Sequence, residues 1–127
     1  MIVMKWAKEP LLARANRPGH PNEDVGLDIV LEWVDTARTM GIKSIICLLS
    51  HRQLNFYQND LLKEYNEFTV KHIPVKDYKN PALNEDEIRQ IIEAYDLLPK
   101  PVLIHCSAGR DRTGLAVDHL LSYLEQL

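Results

Sequence analysis

One stretch limits the architecture more than any other. From residue 101 to residue 114 the chain reads Pro-Val-Leu-Ile-His-Cys-Ser-Ala-Gly-Arg-Asp-Arg-Thr-Gly. Val102, Leu103 and Ile104 form a brief apolar run, the pattern of a strand covered on both faces. From Leu115 onward Leu115, Ala116, Leu120, Leu121 and Leu124 recur at helical spacing. The residues between must form a tight loop that opens a helix. Such a loop turns backbone N–H groups inward and the helix dipole adds positive potential, which together make a seat for a tetrahedral anion.

Within that loop stands Cys106-x5-Arg112, with His105 before the cysteine and Thr113-Gly114 after the arginine. Arg112 can take two oxygens of a phosphate bidentately, which a Lys cannot match. The same positive environment favours a thiolate, and a thiolate held under a phosphoryl group is a nucleophile aimed at phosphorus. Thr113 is placed to donate a hydrogen bond to that sulfur. His-Cys-x-x-Gly-x-x-Arg-Thr-Gly resembles the signature loop of the cysteine-dependent protein tyrosine phosphatases, and the short chain resembles their small dual-specificity branch. That resemblance implies a phosphatase fold and activity. A chance cysteine in a glycine-containing turn is the alternative, and it explains none of the other fixed offsets.

The rest of the chain sets bounds. A length of 127 residues reads as one domain, 1–127. With 46% apolar and 26% charged residues, the composition is ordinary globular. A net charge of −3 gives no support to nucleic-acid or bulk membrane binding, so any anion must be recognised by a local site. Two cysteines and no secretory segment point to a reducing, cytoplasmic compartment. No apolar run approaches the ~20 residues of a membrane helix.

In chain order, Ile2–Trp6 and Leu11–Ala15 read as strands, followed by the turn-rich Arg17-Pro18-Gly19-His20-Pro21. Arg14 and Arg17 read as solvated surface, with a wall of the substrate cleft as the sharper alternative. Asn22 suits an N-cap with Glu23 and Asp24 in the first turn of a helix ending near Met40, and Gly41 a C-cap. Val25, Ile29, Val30, Trp33, Val34 and Ala37 would line its buried side. Ile42–Leu49 is a β-branched, apolar strand. Cys47 inside it reads as a small core residue, with a resolving role toward an oxidised Cys106 as the alternative. Asn59-Asp60 caps a short helix from Leu61 to Tyr65. His51 and Arg52 read as surface, with the cleft rim second. Phe68–Val75 is the next strand. Asn84-Glu85-Asp86-Glu87 is a capping box for a helix to about Leu98. Scattered His and two distant Cys offer no metal-ligand spacing.

The alternation of strands and helices argues for an α/β domain with a central, mostly parallel sheet of four to five strands and helices on both faces. Ligands bind such sheets at the C-terminal ends of the strands, where Cys106, Asp77 and His51 all fall.

The resemblance implies the chemistry residue by residue. Cys106 is the nucleophile. Arg112 and the backbone N–H groups of Ser107, Ala108, Gly109, Arg110, Asp111 and Arg112 hold the phosphate oxygens. His105 supports the loop and favours the thiolate. An Asp in a loop after a strand protonates the leaving oxygen, and Asp77, 29 residues before Cys106, carries that role over. Asp111 competes for it. No metal or organic cofactor is required. The implied substrate is a phosphoprotein bearing phosphotyrosine, with phosphoserine or phosphothreonine as extensions.

Two departures matter. Arg110-Asp111-Arg112-Thr113-Gly114 resembles the microbial enzymes that also accept phosphoinositides, and Arg110 adds a cation suited to a polyanionic head group. Only 14 residues follow Thr113. The chain therefore reads as a minimal form of the domain or as one truncated at its C-terminus. A phosphate-binding module that has lost turnover is the alternative of a different class. The low-molecular-weight phosphatases carry their loop near the N-terminus, and sulfur-transfer domains need no upstream acid, so both fit less well.

Overall fold

The apolar runs of this chain are short, β-branched and interrupted by polar turns, so they pair with one another rather than form helices. In the computed structural model, which describes all 127 residues, they give β1 (Met4–Lys8), β2 (Leu12–Ala15), β3 (Ser44–Cys47), β4 (Thr69–His72) and β5 (Val102–His105). One sheet results, in the order β1-β2-β5-β3-β4. β2, β5, β3 and β4 run parallel, and β1 joins antiparallel at the edge. β5, the signature strand, is central and buried throughout.

Register decides where the site lies. Ala15, His105, Cys47 and His72 stand side by side across the sheet, each the last residue of its strand. The four segments that leave this row emerge at one edge. They carry Arg17, Cys106, Gln53 and Asp77.

Because successive strand residues face opposite sides, the parallel strands feed two cores. Ala13, Ala15, Ile45, Cys47 and Leu103 pack under the helix α1 (Leu27–Thr39) with Trp33, Val34 and Tyr65. Leu12, Ile46, Val102, Ile104 and Cys106 pack under α4 (Glu85–Leu97) and α5 (Asp111–Glu125) with Ile91, Val117 and Leu120. Between β3 and β4 lie two single-turn helices, α2 (His51–Leu54) and α3 (Leu61–Glu64).

Several boundaries differ from the sequence reading. α1 starts at Leu27 with Gly26 as N-cap, not at Asn22. The reason is Val25, which is held extended: its N–H donates to Phe56 O (2.8 Å) and its carbonyl accepts from Gln58 N (3.0 Å). With that start, the buried stripe is Val30, Trp33, Val34 and Ala37, while Ile29 faces solvent at 41% exposure. Gly41 follows the helix at φ +83°, as a C-terminal glycine should. The strands after it are shorter than their apolar runs because Leu48 and Val75, though buried, already belong to the loops over the site. α4 is capped as expected, with Asn84 Oδ1 accepting from Glu87 N and Glu87 Oε1 accepting from Asn84 N.

Candidate active site

The loop from Cys106 to Arg110 is built on glycine geometry. Gly109 sits at φ +77°, and a Cβ there would lie 2.7 Å from Ala15 O and 2.8 Å from Asn16 N. Only glycine lets the loop approach β2 so closely. β2 and its exit then hold the loop. Arg14 Nη2 donates to Gly109 O (3.0 Å), Arg17 N donates to Ser107 O (2.9 Å), and Arg17 Nε donates to Ser107 Oγ (3.0 Å). The reading of Arg14 and Arg17 as solvated surface is therefore corrected. Arg17 is 2% exposed, donates to Asn22 O (2.7 Å) and Tyr57 Oη (3.3 Å), and lies 4.9 Å over the Phe56 ring. No carboxylate pairs with it. A buried guanidinium with only neutral partners leaves its charge directed at whatever the loop binds.

Behind the loop, His105 is fully buried. One ring nitrogen, Nδ1, is 2.9 Å from Cys106 O, and Nε2 is 2.9 Å from Tyr65 Oη. A carbonyl only accepts, so Nδ1 carries the proton, and in the neutral ring Nε2 accepts from the tyrosine O–H. Burial pushes His105 down to about 4 and the Tyr65 phenol well above its ordinary value, so both are neutral at neutral pH. This refines the expectation that His105 favours the thiolate: it fixes the Cys106 carbonyl by hydrogen bonding and supplies no charge. Tyr65 stacks on Trp33 at 5.3 Å, and Trp33 Nε1 donates to Asn16 O (2.9 Å), which ties the network back to β2.

Arg112 is 6% exposed in the first turn of α5. Its Nη1 faces three acceptors: Gln53 Oε1 (2.9 Å), Val75 O (3.0 Å) and Leu48 O (3.2 Å). These come from the exits of β3 and β4. They leave Nε and Nη2 without a protein partner, the two donors that a bidentate oxyanion pair requires. Gln53 is itself fixed by the capping box of α2, its Oε1 accepting from Ser50 N (3.2 Å). Thr113 Oγ1 is buried with no hydrogen-bond partner. The hydrogen bond expected from Thr113 to the Cys106 sulfur is thus not formed, and the hydroxyl is an orphan beside the loop.

A cavity of about 250 Å³ opens over the loop. Cys106, Ser107, Ala108, Arg110, Asp111 and Arg112 form one side. Asp77, Gln53 and His20 come from elsewhere. His105, Thr113 and Gly109 support this lining from outside it. Asp77 bonds Arg52 Nη2 at 2.6 Å, and its side chain is only 12% exposed. Burial raises the Asp77 carboxyl, but the Arg52 hydrogen bond and charge outweigh that and hold it below its ordinary value. Arg52 in turn lies 5.2 Å over the face of Phe56, the ring that Arg17 also covers. His51 points away, edge-on to His72 at 5.5 Å. After Asp77 the chain turns through Tyr78, at φ +62° and 96% exposed on the cavity rim.

Residues 28–125 match the family described as Tc-R-P, polymorphic toxin system, DSP-PTPase phosphatase. The chain belongs to this family. A curated relative, tyrosine-protein phosphatase 69D of Drosophila melanogaster, is 51% identical over 41 residues, which is 31% of this chain and 3% of that protein. The chain thus spans a small fraction of that relative's length. Among solved structures, kinase-associated phosphatase with its catalytic-site cysteine replaced by serine superposes at a TM-score of 0.71 with 24% identity, covering 89% of this chain and 65% of that one. A glycine-to-alanine mutant of Tk-PTP superposes at 0.66 with 21% identity, covering 98% of this chain and 73% of that one. The catalytic core of the PP-IP phosphatase SIW14 of S. cerevisiae, in complex with citrate, follows at 0.53 with 18% identity, covering 91% and 62%. At these identities the solved structures establish the fold, a dual-specificity-phosphatase-like α/β sheet. No helix is long and apolar enough to cross a membrane.

Most of the residues named from the signature loop converge on the cavity. Those missed lie far away in sequence, Tyr65 and Gln53, and Arg17, which reads as surface first and as cleft wall second, supports the loop. For Gln53 a signal existed, since Ser50-x-x-Gln53 is a capping-box pattern. For Tyr65 none did, and for Arg17 nothing local lifts the cleft-wall reading above surface, because burial of a charged or aromatic side chain is decided by distant segments.

Proposed function

We propose that the protein hydrolyses phosphomonoesters in two steps through a cysteinyl-phosphate on Cys106. The observation that carries this is the pairing in one cavity of a cysteine with an arginine whose Nε and Nη2 have no protein acceptor. The Cys106 thiolate attacks phosphorus, and the bond from phosphorus to the leaving oxygen breaks. Arg112 and the N–H groups of the loop hold the equatorial oxygens, where positioning and charge supply most of the catalysis. Asp77 gives its proton to the leaving oxygen. Water then attacks phosphorus, the S–P bond breaks, and Asp77 takes the proton back. Thr113, with no other partner, donates to the departing sulfur. An arriving phosphoryl group and a thiolate are both negative, and their proximity raises the proton affinity of Asp77 against the pull of Arg52.

Phosphotyrosine proteins are the first substrate class, with phosphoserine and phosphothreonine next. Arg110 favours a second reading, a phosphoinositide or related polyanion, because it is exposed on the cavity lining with no acidic partner.

The test is phosphate release by wild type and Cys106→Ser on a phosphotyrosine peptide, a phosphothreonine peptide and several phosphoinositides. Turnover by wild type with a dead variant supports the cysteine route, and the rate ratios rank the substrates. Equal turnover by both proteins refutes it. Binding of phosphopeptides without turnover leaves the phosphate-binding module in its place.

A further inference from the structure

On the other side of the signature loop, toward β1 and β2, lies a second cavity of about 290 Å³. Ala108 and Arg110 line both cavities, so only the loop divides them. The other charged residues of the second cavity are Lys5 and Arg14. They are direct cross-strand partners in the β1–β2 pair, an arrangement in which like charges repel. Neither they nor Arg110 make an ion pair with any carboxylate. No acidic residue lines the cavity, although the chain carries 18 Asp and Glu against 15 Lys and Arg. Arg14 is also pinned, since its Nη2 donates to Gly109 O. Three cations gathered without a protein counter-charge, one of them fixed to the phosphate loop itself, form a site that an external anion completes.

We propose that this cavity is a second phosphate subsite, taking a neighbouring phosphoryl group of a compact, ring-based bisphosphate while the first is hydrolysed over Cys106. The proposal rests on the phosphatase reading above. Arg110 spans the divide, so the two phosphates must lie within reach of one guanidinium. A rigid ring with phosphates on adjacent carbons meets that spacing with little ordering cost. The second phosphate is bound and not cleaved. It adds affinity for substrates that carry it and does nothing for monophosphates.

Lys5 is the residue to change, because it is exposed, lies outside the first cavity and makes no side-chain hydrogen bond or ion pair to the loop. Three proteins are compared, wild type, Lys5→Gln and Lys5→Glu. The substrates are p-nitrophenyl phosphate, an inositol monophosphate and the inositol bisphosphate with its phosphates on adjacent carbons. Wild type should prefer the bisphosphate over the monophosphate by about tenfold or more in kcat/KM. Lys5→Gln should cut that preference roughly threefold and Lys5→Glu should abolish it, with p-nitrophenyl phosphate turnover unchanged as the control for folding. The same order should appear in titrations of the bisphosphate into Cys106→Ser carrying each Lys5 change, a readout that needs no turnover. Failure of wild type to hydrolyse p-nitrophenyl phosphate refutes the phosphatase reading alone. A bisphosphate preference and affinity indifferent to Lys5→Glu refute the subsite. Offering the same head group in phosphatidylcholine vesicles containing a bisphosphorylated phosphoinositide separates a lipid source from a soluble one. Lys5 dependence confined to a doubly phosphorylated peptide would overturn the ring assignment.

Discussion

Replacing Gly109 by alanine puts the construction of the loop to a quantitative test. The new Cβ meets three backbone atoms at once, Ala15 O at 2.7 Å and Ala15 C and Asn16 N at 2.8 Å. None is the end of a flexible side chain. Ala15 is the last residue of β2, paired to β5 and packed in the core under α1, so it cannot retreat. The loop must move instead, by roughly half an ångström or more. A non-glycine residue at positive φ costs roughly 1–2 kcal/mol, and overpacking adds roughly 1–3. The stiffer unfolded chain returns roughly 0.4–1. The net is a loss of about 1–5 kcal/mol, near 3 at the midpoints of these ranges. Against a typical total of ~5–15 kcal/mol the variant stays folded, and its urea midpoint falls by about 1–2 M. Activity should fall further than stability explains, because displacing the loop breaks the aim of the amides and of Arg112. Misplacements of this size cost up to ~10²-fold in rate. The assays are urea unfolding and kcat/KM on p-nitrophenyl phosphate under conditions where the variant is folded. A variant with kcat/KM within about twofold of wild type would show that the contact with β2 does not set the loop geometry.

Three further outcomes are expected. Arg52 holds the Asp77 carboxyl low, and a general acid works only while protonated, so activity falls as pH rises through its titration. Arg52→Ala should move that alkaline limb to higher pH and Arg52→Lys should move it less; a limb that stays in place in both refutes the coupling. His105 is held down to about 4 from an ordinary 6.5. The unfolded chain therefore binds the extra proton first, and stability should fall as pH drops from 6.5 toward 4, by up to ~3 kcal/mol. His105→Gln should lose that part of the acid sensitivity in urea unfolding at the two ends of the window, and an equal loss in both proteins counts against it. Cys47 and Cys106 belong to cores on opposite faces of the sheet, and burial pushes the Cys47 thiol up to about 12. Peroxide should inactivate the protein while Cys47 stays a free thiol by mass spectrometry, and a Cys47–Cys106 disulfide would overturn this reading.

Local chemistry was legible in the chain itself. The signature loop, its strand and helix, the capping box at Asn84 and the alternation that makes a parallel sheet are all written in residues close together, where periodicity and turn chemistry act. Asp77 was placed by the same logic, as a polar residue just past a strand. Tertiary structure alone decided the rest. Val25 is extended because Phe56 and Gln58 pair with it, and that pairing moved the start of α1 past Asn22. Arg14 and Arg17 are ordinary surface cations by composition. They become loop supports because β2 lies beside β5, a neighbour ninety positions away. His105 was visible as the residue behind the cysteine, but its charge state was not, since that follows first from full burial. The row of strand ends formed by Ala15, His105, Cys47 and His72 has the same origin. Register between distant segments gathers the site at one edge of the sheet, and no short stretch of sequence encodes it.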